Sequence, residues 1–138
     1  VMVGLPSPAQ ALIGLRAEVA GCVKRGELWS YSVSISAGNG AVHYAVPRRY
    51  SAFRELHSRI KALGVPAPRV PRFPPKRAYA TQDEPFAARR REELHAYLGQ
   101  LLADPELRAC THLHQFLELG LLLGRGAHAA AGRQTNPY

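Results

Sequence analysis

Alternation of apolar and polar positions dominates the first third of the chain. Leu15, Ala17 and Val19 alternate with Arg16 and Glu18, and Trp29, Tyr31, Val33 and Ile35 alternate with Ser30, Ser32, Ser34 and Ser36. A period of two puts one set of side chains on a single face of a strand, so two strands are predicted, each burying one side. Lys24-Arg25-Gly26 reads as the turn between them. Gly38-Asn39-Gly40 is a hairpin signal, because tight hairpin turns need the positive φ that Gly and Asn adopt cheaply. Val42, Tyr44 and Val46 then carry a third strand back, which should end at Pro47, since proline has no N–H to give to a ladder. The expectation is a three-stranded antiparallel meander whose aromatics are core rather than ligand contacts.

After Pro47 the period lengthens. Tyr50, Phe53, Leu56, Ile60 and Leu63 recur at helical spacing, predicting a helix over 52–63 with Ser51 as N-cap and Gly64 as its stop. The run Val65 to Pro75 holds five of the eleven prolines, a density that forbids helix and predicts an extended polyproline crossing. Its PxxP spacings, flanked by Arg69 and Arg72, fit a Src-homology-3 ligand or a stiff connector that sets the position of Lys76; the connector is preferred. Thr81, Asp83 and Pro85 are start signals for a second helix with an apolar stripe of Phe86, Leu94, Tyr97, Leu98, Leu101 and Leu102. Arg90 lies four residues from both Phe86 and Leu94, on the inward stripe, while Arg89 and Arg91 point elsewhere. A buried unpaired charge costs several kcal/mol, so Arg90 requires Glu93, a carbonyl or a ligand as partner. Asp104-Pro105-Glu106 opens a short helix, and Thr111 caps another with Leu113, Phe116 and Leu117 inward. The fold class is α+β: a meander packed against a small helical subdomain, with the proline-rich crossing between the first two helices. Residues 1–13 are expected to be a flexible lead-in, 14–120 the domain, and 121–138 a disordered tail or linker.

A chain of 138 residues has room for one core. The net charge of +8 and pI near 10.1 call for an anionic partner, whether a phosphoinositide-bearing membrane, nucleic acid or an acidic protein. No apolar run approaches the roughly 20 residues that span a bilayer, and the N-terminus has no charged start followed by a long apolar region, so a soluble or peripheral protein is expected. Cys22 and Cys110 are too few for a disulfide framework and read as reduced cytosolic thiols. A start at Val1 rather than Met is what a piece of a longer protein would show. There is no GxSxG, HExxH or GxxxxGK, and no Cys with Arg six positions later, so no enzymatic activity is expected. His112 and His114 face different ways on a helix, and no metal or cofactor site is expected. Nucleic-acid binding is disfavoured because the aromatics fall on core positions rather than on an exposed stacking platform.

The remaining signal is cationic and aromatic. Arg48-Arg49-Tyr50 stands where a strand gives way to a helix, so a guanidinium could meet a phosphate with fork geometry beside the free amides of a helix start. Lys76 follows the crossing, and Arg90 lies on the second helix. The order of meander, Arg-Arg-Tyr-x-x-Phe, helix, proline-rich crossing with Pro-Pro-Lys, and Arg-Arg-x-x-Leu resembles the phox-homology (PX) domain family over residues 14 to about 120. The resemblance implies a phosphoinositide-binding module, most often for phosphatidylinositol 3-phosphate on endosomal membranes, cytoplasmic and peripheral. It implies that Arg49 holds the 3-phosphate, Tyr50 stacks beneath the inositol ring with its hydroxyl free to reach water, Lys76 meets the 1-phosphate and Arg90 bonds the 4- and 5-hydroxyls. Arg48 would support the fold or the surrounding potential.

PX domains that bind strongly usually place bulky apolar residues on the loop after the crossing. This chain offers only Ala78, Tyr79 and Ala80 there. Arg69, Arg72 and Arg77 compensate at about 1 kcal/mol per basic residue near an anionic surface, so Arg69, Arg72, Arg77 and Tyr79 are the expected membrane-surface contacts. The alternative is a PX-like adaptor that acts through the proline-rich segment with little lipid binding.

Overall fold

The structure, a computed structural model, describes residues 14–38, 40, 42–76 and 83–121. The lead-in, the tail from residue 122, Asn39, Arg77, Tyr79 and Thr81 lie outside them. Strands β1 (Arg16–Arg25), β2 (Leu28–Ala37) and β3 (Val42–Arg49) form an antiparallel sheet in the order β1-β2-β3. Helix α1 (Tyr50–Lys61) follows at once; α2 (Glu84–Ala103), α3 (Pro105–Arg108) and α4 (Thr111–Phe116) come after the crossing. The α+β meander with a helical subdomain is as the sequence predicts.

Alternation sets which face of the sheet is covered. Ala17, Val19, Tyr31, Val33, Ile35, Ala37 and Val46 are buried on one face, against Phe53, Leu56 and Ile60 of α1 and Leu94, Tyr97, Leu98 and Leu101 of α2. Fully burying an aliphatic or aromatic side chain of this size contributes about 1.5–3 kcal/mol. A bulge interrupts the β1 register between Val19 and Gly21. Beside it both backbone groups of Val19 are satisfied by α2: its N–H donates to His95 Nδ1 (3.1 Å), and its carbonyl accepts from Arg91 Nη1 (2.7 Å). Arg91 is thereby taken up at the sheet edge.

Several boundaries differ from the sequence reading, each for a local reason. The first turn lies at Gly26-Glu27, later than Lys24-Arg25-Gly26, because Arg25 still pairs with Leu28. Gly26 sits there at φ 63, the first central position of a two-residue hairpin connection. β3 does not end at Pro47 but continues to Arg49, with Pro47 opposite Ser32. β3 pairs on one side only, so an outward proline nitrogen costs no ladder bond. Helix α1 starts at Tyr50 instead of 52, and its N-cap is Arg49, not Ser51, with no side-chain cap bond. It ends at Lys61 with Gly64 at φ 82 closing the turn, which leaves the predicted core residue Leu63 50% exposed. The crossing is not wholly extended, since Ala67–Arg69 form one 3-10 turn.

Asp83 caps α2 by accepting from the Phe86 N–H (3.1 Å), and Asp104 caps α3 by accepting from Glu106 and Leu107. Thr111 is the first residue of α4 and does not cap it; Cys110 holds that position without a side-chain bond.

Candidate ligand-binding site

The strand-to-helix junction separates its two arginines by alternation. Arg48 turns toward the C-terminal end of the domain. Its Nε and Nη2 donate to the Phe116 carbonyl (3.1 and 2.8 Å), and Nη2 pairs with Glu118 (2.9 Å). Glu118 is held at φ 58, a left-handed conformation uncommon for a residue with a Cβ. Arg48 therefore supports the fold. Arg49 points the other way and is exposed. Because α1 has neither a capping side chain nor an acid in its first turn, its leading amides beside Arg49 are open to an anion.

Arg49, Tyr50, Lys76 and Arg90 come together around one pocket of about 310 Å3. Leu28, Trp29, Tyr31, Ser51, Arg54 and Phe86 complete its lining. Arg90 is 6% exposed, as its place on the inward stripe predicts. Its guanidinium carbon lies 3.9 Å from the centroid of Tyr50 and 4.8 Å from that of Phe86, so it is held between two rings. Nη2 donates to the Pro75 carbonyl (3.1 Å), whereas Nε is buried with no hydrogen-bond partner. Of the partners the sequence left open, the structure supplies a carbonyl, and Nε is left without one. A larger groove of about 630 Å3 shares Leu28, Arg49 and Ser51, but among the described residues no buried side-chain donor there lacks a partner.

The crossing fixes these side chains through its carbonyls. The Tyr50 hydroxyl donates to Pro74 O (2.8 Å), so it is bonded and not free to reach water as expected. Phe73 anchors that segment: its ring lies 5.5 Å from Tyr50, stacks on His57 at 4.9 Å and meets Tyr97 edge-on at 5.0 Å. His57 Nδ1 in turn bonds the Tyr97 hydroxyl (2.9 Å). Burial, with Lys61 adding to it, pulls the His57 pKa below its ordinary value. Burial pushes the Tyr31 hydroxyl up to about 12 despite the opposing charge of Arg90. Sequence reasoning missed the carbonyls of Pro74 and Pro75 and the ring cluster behind them. The available signal was that proline loses its donor but keeps its acceptor.

A family model for the PX domain matches residues 36–119. The chain belongs to the PX domain family. Over 88 residues this PX domain is 32% identical to the human phosphatidylinositol 4-phosphate 3-kinase C2 domain-containing subunit beta, covering 62% of this chain and 5% of that protein. It is 30% identical over 89 residues to the rat PX domain-containing protein kinase-like protein, covering 64% of this chain and 15% of the relative. The chain thus spans a small fraction of these curated relatives, and the family match is to the PX domain alone. Among solved structures, a designed CISK-PX domain superposes with a TM-score of 0.66 at 27% identity, covering 75% of this chain and 98% of that one. The mouse SNX19 PX domain shares the fold, with a TM-score of 0.57 at 24% identity and coverage of 75% and 95%. PX domains are generally phosphoinositide-binding modules without catalytic activity, which associate peripherally with membranes. Among the described residues no helix of this PX domain is long and apolar enough to cross a membrane.

The residues expected at the membrane surface are distributed differently. Arg69 makes a fork with Asp104 (2.8 to 3.1 Å) and a second ion pair with Glu106 (2.7 Å). These contacts raise the Arg69 pKa and hold the Asp104 carboxyl below its usual range. Arg69 and Arg72 line a shallow recess that shares no residue with the pocket. Arg77 and Tyr79 fall outside the described residues. Two of the described histidines bond near in sequence, His114 to the Arg108 carbonyl and His43 to Ser34, while His57 and His95 tie distant elements together. No cluster of three or more metal-ligating side chains occurs among the described residues.

Proposed function

We propose that this PX domain binds phosphatidylinositol 3-phosphate and so directs the protein that carries it to endosomal membranes. The observation that carries this reading is Arg90: a nearly buried guanidinium whose partners are a neutral carbonyl and two rings, with Nε left without an acceptor. Native proteins rarely bury a donor in that state, because it costs about 1–3 kcal/mol. Inositol hydroxyls are acceptors suited to a guanidinium on the pocket wall, so Arg90 bonds the 4- and 5-hydroxyls. The Tyr50 ring, tied to Pro74 and lying beside Phe73, offers flat apolar surface to the inositol ring next to the Arg90 guanidinium that lies over it. Arg49 and the open amides of α1 take the 3-phosphate, and Lys76 takes the 1-phosphate that leads to the glycerol. Phosphates added at the 4- or 5-position crowd Arg90 and disfavour the multiply phosphorylated lipids. Arg72, Arg77 and Tyr79 add contact with the anionic surface. The inward engagement of the crossing by its carbonyls and Phe73 favours this reading over that of a Src-homology-3 ligand.

The test is co-sedimentation with vesicles carrying single phosphoinositides at two salt concentrations, comparing the native chain with Arg49→Ala. Selective binding to the 3-phosphate lipid, lost in the variant, supports the reading. Equal binding to all anionic vesicles, insensitive to Arg49→Ala and abolished by salt, refutes it.

A further inference from the structure

Arg54 lines the same pocket as Arg49, Tyr50, Lys76 and Arg90 and stands one helical turn after Tyr50, on the same face of α1. Its charge reaches the Tyr50 hydroxyl: burial raises that pKa, and Arg90 and then Arg54 pull it back down. Several arginines elsewhere are matched to acids. Arg48 pairs with Glu118, Arg69 with Asp104, and Arg59 with Glu55 at 2.8 Å. Glu55 is the sequence neighbour of Arg54, yet it goes to Arg59, and Arg54 has no ion pair or hydrogen bond among the described residues. The second cation at this end of the pocket is therefore left uncompensated beside an uncapped helix start.

A phosphomonoester carries about −1.5 to −2 charges near neutral pH, with a second pKa of about 6, whereas a phosphodiester carries only one. One guanidinium matches the diester but leaves the monoester half-neutralised. We propose that Arg49 and Arg54 form a two-guanidinium clamp on the ring phosphomonoester, and that Arg54 sets the preference for that group over a diester or a bare hydroxyl. The clamp rests on the lipid reading and assigns a further residue to it. Arg54 is exposed and borne on a regular helix, so Arg54→Gln keeps the fold. None of the described lining residues is a histidine or carboxylate, and Glu93 is the acid whose charge reaches Tyr50. The groups that titrate at the site between about pH 5.5 and 7.5 are therefore the ligand's phosphomonoesters: the 3-phosphate of the lipid, and both phosphates of the soluble inositol 1,3-bisphosphate.

The experiment is titration calorimetry of the full chain with soluble inositol 1,3-bisphosphate at both pH values, and flotation with vesicles carrying phosphatidylinositol 3-phosphate or phosphatidylserine alone. The variants are Arg54→Gln, Arg54→Lys and Arg49→Ala. We expect Arg54→Gln to weaken the soluble headgroup about tenfold at the higher pH, the size of a charge-assisted bond in a partly exposed site, with a smaller loss at the lower pH. Arg54→Lys should recover part of the loss. Native affinity in Arg54→Gln while Arg49→Ala abolishes binding overturns the clamp and leaves the lipid reading intact. A loss on vesicles but not on the soluble headgroup places Arg54 at the membrane surface and also overturns the clamp. Binding unaffected by either substitution removes the lipid reading and the clamp with it.

Discussion

Replacing Arg90 with methionine separates the cost of this side chain to the fold from its use to the ligand. Met keeps an unbranched stem of similar reach and a good helix propensity. The change removes a bond to the Pro75 carbonyl, about 0.5–1.5 kcal/mol net. It also removes contacts with the Tyr50 and Phe86 rings, about 1–2 kcal/mol each where desolvated. Against these stands relief of the guanidinium desolvation penalty of several kcal/mol, of which the orphaned Nε is about 1–3 kcal/mol. The two sides nearly cancel, so urea unfolding should show a change of no more than about 1 kcal/mol. Leu94→Ala on the same face should lose about 2–5 kcal/mol. Headgroup affinity, in contrast, loses charged hydrogen bonds of about 1.5–3 kcal/mol, or about 10- to 150-fold. Thermal stabilisation by inositol 1,3-bisphosphate should then vanish in Arg90→Met while the apo melting point stays nearly unchanged. Destabilisation above about 3 kcal/mol would make Arg90 a support of the fold, and native headgroup affinity would show that its guanidinium does not meet the ligand.

The adjacent arginines at the junction should behave oppositely: Arg48→Ala breaks a largely buried pair and two carbonyl bonds and should cost about 2–4 kcal/mol in unfolding experiments, whereas Arg49→Ala should stay within about 0.5 kcal/mol yet lose lipid binding. The His57 pKa is depressed in the folded state, so the fold binds fewer protons than the unfolded chain, and stability should fall as pH drops below the ordinary histidine value near 6.5; denaturation midpoints across pH 7.5 to 5 should show a decline that His57→Phe flattens. Arg69→Gln should reduce binding to phosphatidylserine vesicles less than Arg72→Gln in flotation assays, because Asp104 and Glu106 already offset the Arg69 charge.

Features that depend on side-chain periodicity were legible in the chain. The serine alternation of β2 placed Tyr31, Val33 and Ile35 inward, and spacing from Phe86 and Leu94 placed Arg90 on the buried stripe. Features that depend on which elements become neighbours were not. Whether Pro47 stops a strand depends on that strand being at an edge, which pairing alone decides. Ser51 has the right chemistry for a cap, but the strand runs directly into the helix and leaves it inside the first turn. Leu63 fits the helical period, yet the chain leaves the helix before reaching it. The bond from Tyr50 to Pro74 joins positions 24 residues apart through a backbone carbonyl, a partner carrying no side-chain signature.

The crossing also bears on how quickly and at what entropic cost a ligand is taken up. Two consecutive prolines present the carbonyls that hold Tyr50 and Arg90. Their φ angles are locked by the ring, so much of the roughly 1–2 kcal/mol per residue for ordering a flexible backbone was met at folding, before any ligand arrives. A site held by such a segment should close little on its ligand, and its association rate should be set by electrostatic encounter rather than by rearrangement. Substituting glycine at Pro74 and Pro75 would touch no ligand contact, yet it would return that disorder to the free protein and show up as slower, weaker capture.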